Sequence, residues 1–360
     1  MSANAPVPAA DPREPGAGSP SHAPWPGTRA WAAIALLCLG AAAALVYPPV
    51  TKYALYEPGL GGRDGDVGQY VRMEQGVPLD QVARPFRYRI FTPLLARAVP
   101  LPPASLLRYF DMSADKLVLL RFGLVNMAGL AVAGMAMVAL SLALGFALSE
   151  GLLAALLFFT AFPVVNYGGT PMVDTWGHAF LALGLLAALR GSLAGLLMVS
   201  LLGMTAKETT ALLLPAVLLL PGTWRQRAWS VAALLPGLAH YAYFRFVAHP
   251  GGAGFPDDPA TSLENLFWRL RHGPYLMWLL WDGGSAFMAL WPLAAIGLWS
   301  LRGRGGEPLA RLAWLVPAIL LVPFAIGSNV GRIWFYAFPV VIPLALEGLR
   351  RAFAPRRAAA

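Results

Sequence analysis

LVLLRFGLVNMAGLAVAGMAMVALSLALG, residues 117–145, holds Arg121 as its one charged residue. A helix crossing a bilayer needs about 20 apolar residues, so this run spans lipid with length to spare. Working outward, further apolar runs occur near 30–48, 151–167, 175–189, 192–206, 209–221, 228–247, 284–300, 309–327 and 331–349. Lipid offers backbone polar groups no partner, so each run is read as a helix. The expectation is an all-α polytopic integral membrane protein with about ten spans. Composition agrees: of 360 residues 58% are apolar and 12% charged, half the charge of a soluble domain (about 25%), and mean hydropathy is +0.59. A single water-soluble globule is excluded.

Cys38 is the one cysteine, which excludes a disulfide framework, a CxxC pair and a thiolate metal cage. The five histidines form no HExxH arrangement. The net charge of +9 reads as membrane anchoring and contact with anionic lipid. With no basic helix standing apart from the spans, no nucleic-acid partner is expected. Residues 1–28, rich in Ala, Pro, Gly and Ser, read as a disordered tail. Residues 29–350 form one transmembrane domain, and 351–360 a basic tail.

Charge sets the expected topology. Arg350, Arg351, Arg356 and Arg357 share a side with Arg190, Arg225, Arg227, Arg302, Arg304 and Arg311. Half as many basic residues, Lys207, Arg245, Arg269, Arg271 and Arg332, lie opposite. The positive-inside rule therefore puts both termini in the cytoplasm. Asp64, Asp66, Asp174, Lys207, Glu208, Asp282 and Arg332 then share the external face. The two runs flanking Lys207-Glu208 are short, and read either as half-depth helices meeting in a V or as one interrupted span.

The first external loop, about 49–116, is too long to be a plain connection. Asp66 opens a short helix with Val67, Tyr70, Val71 and Glu74 at helical spacing. Phe86, Ile90, Phe91, Leu94 and Leu95 make the apolar face of a second, amphipathic helix, with Arg87, Arg89 and Arg97 on its polar side. Asp64-Gly-Asp66 reads two ways: a general base, with or without a divalent cation, or a solvated turn with a helix cap. Repulsion between the two carboxylates predicts one raised pKa. The arginines likewise either snorkel to lipid phosphates or bind a phosphate through bidentate hydrogen bonds. Asp174 and His178, four apart, fit one helix face, as site residues or as cap and interfacial residue. Trp268, Tyr275, Trp278 and Trp281 look like an interfacial aromatic belt.

Four stretches resemble motifs of the GT-C superfamily of membrane glycosyltransferases, which includes the aminoarabinose transferase and protein O-mannosyltransferase families. Asp66-Val-Gly-Gln-Tyr70 follows the first span, as the acidic residue four before a Tyr does in that superfamily. Met204-Thr-Ala-Lys207-Glu208, with Pro215 after it, is similar to a "TKG…P" segment, with Glu208 in place of Gly and Ala206 inserted. Gly331-Arg332-Ile-Trp-Phe-Tyr336-Ala-Phe-Pro339 resembles an "RY…P" span, without a Tyr directly after Arg332. Pro85-Phe-Arg-Tyr-Arg89-Ile-Phe-Thr-Pro93 looks like the loop of bacterial relatives. The resemblance covers roughly residues 30–350, and no soluble C-terminal domain is expected after it.

The resemblance implies a GT-C-like helical bundle that moves a sugar from a polyprenyl-phosphate donor to a hydroxyl of a glycan, lipid or protein on the external face, with inversion. It implies Asp66 as the base, assisted by Asp64. Lys207 and Arg332 are the donor-phosphate ligands, with Arg87 and Arg89 as second choices, and Tyr70, Asp174, His178 and Glu208 as site-lining residues. No cofactor is required, and any Mg²⁺ or Mn²⁺ falls to Asp64 and Asp66. Richness in Ala, Gly, Arg and Pro points to a bacterial inner membrane. The competing readings are a lipid-phosphate transporter or scramblase and a structural subunit. Charges at span ends rather than at the midplane weigh against the transporter.

Overall fold

The computed structural model describes residues 25–353 apart from 53–54, 57–61, 84–85, most of 101–111, 249–266, 268–270 and 327–329. Residues 1–24 and 354–360, and with them nearly all of the expected tails, lie outside the described residues, as do Pro85, Trp268 and Arg269. Among the described residues there are helices and no strands.

The chain is an all-α protein with helices fit to cross a membrane. Thr28–Lys52, Ala114–Ala143, Trp224–Ala248 and Val330–Phe353 are long and apolar enough, and Leu279–Phe287 with Leu290–Ser300, bent by 73° at the break between them, passes the same test as a pair, as a broken span or a re-entrant loop. The expected count of about ten is not reached by length, because several apolar runs are broken. The run 151–167 divides at Thr160-Ala161 into Leu148–Phe159 and Phe162–Tyr167. The run 309–327 divides at Ala313-Trp314 into Pro308–Leu312 and Leu315–Ile326. At 284–300 the break is Met288, whose φ of +43° ends one helix and turns the chain into the next.

In chain order, α1 is Thr28–Lys52, α2 Asp66–Glu74, α3 Phe91–Ala98 and α4 Ala114–Ala143. Helix α4 is apolar around its whole circumference and largely buried, as a central helix should be. It packs against α1, against α5 (Leu148–Phe159) and against α7 (Asp174–Leu189), with α6 (Phe162–Tyr167) between the last two in sequence. Ser113 caps α4 by accepting from the Lys116 N–H, and Ser192 does the same for α8 (Leu193–Ala206) through Gly195.

The chain around Lys207 is a hairpin. Helix α8 runs antiparallel to α7: Gly195 abuts Ala187, and Gly177 abuts Lys207. After Lys207, whose backbone is extended, a 3₁₀ turn Glu208–Leu212 leads into α9 (Leu213–Leu219). Leu213 sits against Gly184, so the chain has reversed along α7. Of the two expected arrangements, the structure has the V, with Lys207-Glu208 at its tip. The remaining helices are α10 (Trp224–Tyr243), α11 (Gly273–Phe287), α12 (Leu290–Ser300), α13 (Pro308–Leu312), α14 (Leu315–Ile326), α15 (Val330–Trp334) and α16 (Phe338–Phe353).

The bundle has two polar ends. Asp174 and Lys207 mark one, at the start of α7 and the end of α8. At the other, Trp25 stacks on Arg190 at 3.9 Å, Arg350 pairs with Glu150 at 2.5 Å, and Arg304 with Glu347 at 2.7 Å. The start of α1 and the end of α16 therefore share this second end.

The second amphipathic helix differs from expectation. Residues 86–88 form a turn closed by the Arg89 N–H on the Phe86 carbonyl, and α3 begins only at Phe91. Its buried face is Thr92, Pro93 and Ala96, while Leu94 and Leu95 are exposed. Arg87 and Arg89 are drawn inward by hydrogen bonds, and this folds 86–90 back before a helix can start.

Candidate functional site

Helix α2 opens with Asp66, a favourable place for a carboxylate at the positive end of the helix dipole. Tyr70 lies one turn on, on the same side. Val67, Tyr70, Val71 and Met73 are buried with Phe86, Phe122 and Val125, which seats α2 against α4. Asp66 is thereby held at the end of the bundle where Asp174 and Lys207 lie.

Helix α15 brings Arg332 to the same place. The Asp282 carboxylate on α11 accepts the Gly331 N–H at 2.7 Å, anchoring the start of α15. The Arg332 guanidinium then donates to Asp66 Oδ2 at 2.6 Å and, through Nε, to Asp174 Oδ2 at 2.9 Å. Its third nitrogen lies 2.6 Å from the same Asp174 oxygen. Asp174 also takes the Lys207 ammonium and, at 2.7 Å, the Tyr336 hydroxyl. Lys207 sits 5.1 Å from the centre of the Tyr336 ring.

Beside Lys207, Glu208 pairs with Arg89 through both carboxylate oxygens, Nε donating at 2.9 Å. Arg89 donates in turn to the Tyr70 hydroxyl at 2.8 Å. The contacts close on themselves: Asp66, Arg332, Asp174, Lys207, then the peptide link to Glu208, Arg89, Tyr70, and one turn of α2 back to Asp66. Three carboxylates face three cations, so the ring carries no net formal charge. Asp174 is 3% exposed, Asp66 28% and Glu208 27%.

Burial pushes the Asp66 carboxyl up, but Arg332, Arg89 and Lys207 together outweigh it and hold the group below the ordinary aspartate value. The expected rise through repulsion by Asp64 is not found. Asp64 stands exposed on the turn before α2, while Asp66 turns inward to a guanidinium.

The other expected residues are placed as follows. Arg87 is buried and donates to the backbone carbonyls of Val82, at 2.6 Å, and Asp80, at 3.0 Å, so it braces the loop. His178 lies one turn beyond Asp174 and 3% exposed, its ring 4.7 Å from that of Tyr336 and edge-on to Phe335 and Phe338. Neither of its ring nitrogens hydrogen-bonds another described residue. Among the described residues, no group of three or more His, Cys, Asp or Glu gathers as a metal would need, so Asp64 and Asp66 have no third ligand there. A cavity of about 210 Å³ lies between α2 and α3, lined by residues that include Met73, Gly76, Ile90, Leu94 and Arg97 and none of the ring.

Sequence reasoning passed over three contributors. Tyr336 is four residues from Arg332, a same-face spacing that marks it as a partner. Asn126, fully buried in α4, donates to the Thr170 and Met172 carbonyls at 2.7 and 3.2 Å and accepts from Thr175, fixing the approach to Asp174. A lone Asn in an otherwise apolar span signals such a role. Asp282 was noted only for its side of the membrane. No protein-family model matches the chain, and no curated protein is significantly similar to it.

Proposed function

We propose that this protein is a polytopic membrane glycosyltransferase of the GT-C type. It transfers a sugar from a polyprenyl-phosphate donor to a hydroxyl acceptor, with inversion, at the non-cytoplasmic face of a bacterial inner membrane. The observation that carries this reading is the meeting of Asp66, Lys207 and Arg332, from three distant parts of the chain, at one end of the bundle. The excess of basic residues at the opposite end supports a cytoplasmic position for that end and for both termini. The bent pair α11–α12, the short apolar helices α5, α7, α8 and α9, and the broken run α13–α14 count as spans in this reading, which with the four long helices completes ten.

In the reaction, Asp66 takes the acceptor hydroxyl proton while the acceptor oxygen attacks the anomeric carbon from the face opposite the phosphate. The bond between that carbon and the phosphate oxygen breaks, and the lipid phosphate leaves with the electron pair. Arg332 and Lys207 hold the charge that develops on it. Asp174 is a positioning residue: it ties both cations and Tyr336 to one point.

The test is transfer of labelled sugar from polyprenyl-phosphate donors in proteoliposomes. Asp66→Asn should lower the rate by about 10²–10⁴-fold while donor binding is retained. Absence of transfer by the wild type, with equal lipid flipping by both proteins, would replace this reading with a lipid-phosphate transporter.

A further inference from the structure

The ring described above poses a chemical problem. Each cation that would receive a phosphate already faces a carboxylate: Arg332 faces Asp66 and Asp174, Lys207 faces Asp174, and Arg89 faces Glu208. The ring is neutral, so an added phosphate is repelled by carboxylates unless one gives up its place. In the same arrangement Asp66 is a weakened base, because the guanidinium on Oδ2 stabilises its ionised form.

We infer that an anionic phosphate displaces the Asp66 carboxylate from Arg332, so that donor binding itself releases the base. This inference rests on the glycosyltransferase reading for the role of the released carboxylate, but the exchange itself is a statement about anion binding alone. Asp66 is the carboxylate that leaves. Asp174 is 3% exposed and receives Arg332, Lys207 and Tyr336, so its departure would strand two buried cations. Glu208 is held through both of its oxygens by Arg89, the stronger fork-like geometry. Asp66 contacts Arg332 through one oxygen, is 28% exposed, and sits on α2 at the rim of the bundle.

The exchange moves no covalent bond. A phosphate oxygen accepts the Arg332 N–H that Asp66 Oδ2 accepted, and the carboxylate turns toward the opening with both oxygens unengaged. With Arg332 neutralised by the phosphate, the strongest charge holding Asp66 in its acidic range is cancelled, and the carboxylate becomes more basic when an acceptor is to be deprotonated. Without donor, the carboxylate stays paired with Arg332.

The experiment uses the full-length protein in nanodiscs, with farnesyl phosphate, inorganic phosphate and farnesol as probes. Asp66→Asn should bind farnesyl phosphate at least fivefold more tightly than the wild type, because the internal competitor is gone, and farnesol binding should not change. Arg332→Gln should weaken farnesyl phosphate binding, and Asp66→Asn added to it should bring no gain. A gain for inorganic phosphate as well assigns the exchange to the phosphate group alone. A gain confined to farnesyl phosphate assigns it to a lipid headgroup, and both support the exchange. Unchanged or weaker binding by Asp66→Asn overturns it.

A second measurement needs no variant. Carbodiimide labelling of the wild-type Asp66 carboxyl, read by mass spectrometry, should increase when farnesyl phosphate is added and stay level with farnesol. A decrease or no change with farnesyl phosphate overturns the exchange. Tighter binding by Asp66→Asn without any sugar transfer by the wild type would keep the exchange and remove the transferase reading. Transfer without the tightening would do the reverse.

Discussion

Asp174 is the residue on which most of the site's polar contacts depend, since Lys207, Arg332 and Tyr336 all reach it. Replacing it by Ala leaves two cations buried without their carboxylate, and removal of one partner of a buried pair costs about 3–5 kcal/mol. Asp174→Ala should accordingly lower the melting temperature in detergent more than Asp64→Ala, which touches an exposed turn. Asp66 predicts a pH effect whose sign follows from its lowered pKa. An unfolded aspartate titrates near about 3.9, above the folded value. Its ion pair therefore stabilises the protein fully above that pH, and the contribution is lost as pH falls through the folded value. The wild-type melting temperature should drop below about pH 4 more steeply than that of Asp66→Asn; parallel curves would mean that the pair contributes nothing.

At the scale of elements, close backbone approach decides where the site helices sit. A side chain at Gly68 would place its Cβ 1.7 Å from the Arg63 carbonyl oxygen, so the turn carrying Asp64 and Asp66 can fold tightly onto α2 only over a glycine. Gly68→Ala should cost about 1–3 kcal/mol through overpacking and lower transfer by shifting Asp66, which paired melting and rate measurements would resolve. Helices α12 and α16 meet through Gly297 and Gly348, whose added Cβ atoms would lie 1.9 Å from the Leu344 oxygen and 2.0 Å from the Leu293 oxygen. Small residues at such crossings are how helices pack in lipid, where no hydrophobic force draws helices together and close van der Waals contact must do so. Gly297→Leu should reduce the yield of folded protein on size exclusion, and a normal profile would show that the crossing adapts.

For the whole molecule, the two polar ends are separated by the length of α16. From Tyr336 to Arg350 the helical rise is about 21 Å, comparable with the hydrocarbon thickness of about 30 Å once flanking side chains are added. A membrane-impermeant maleimide should therefore modify cysteines introduced at Asp64 and at Gly305, both exposed, from opposite sides. The background is Cys38→Ala, Cys38 being 3% exposed. Modification of both from one side would break the orientation on which the external site depends.

Much of this was legible in the chain, and the reasons differ by residue. Runs such as 117–145 declare themselves, because lipid demands apolar length and a helix satisfies its own backbone. The charges Asp66, Lys207, Glu208 and Arg332 stand out for the same reason, being costly in an apolar chain. What periodicity cannot carry is the partner each charge finds. Arg87 and Arg89 are two residues apart in one loop, yet one ends on the Val82 and Asp80 carbonyls and the other on Glu208, far along the chain. The hairpin at Lys207, the inward turn of Asp66 away from Asp64, and the capture of Gly331 by Asp282 were likewise decided by tertiary structure. Apolar length is a local property that residues announce singly, whereas ion pairing depends on which distant groups the packed helices bring within reach.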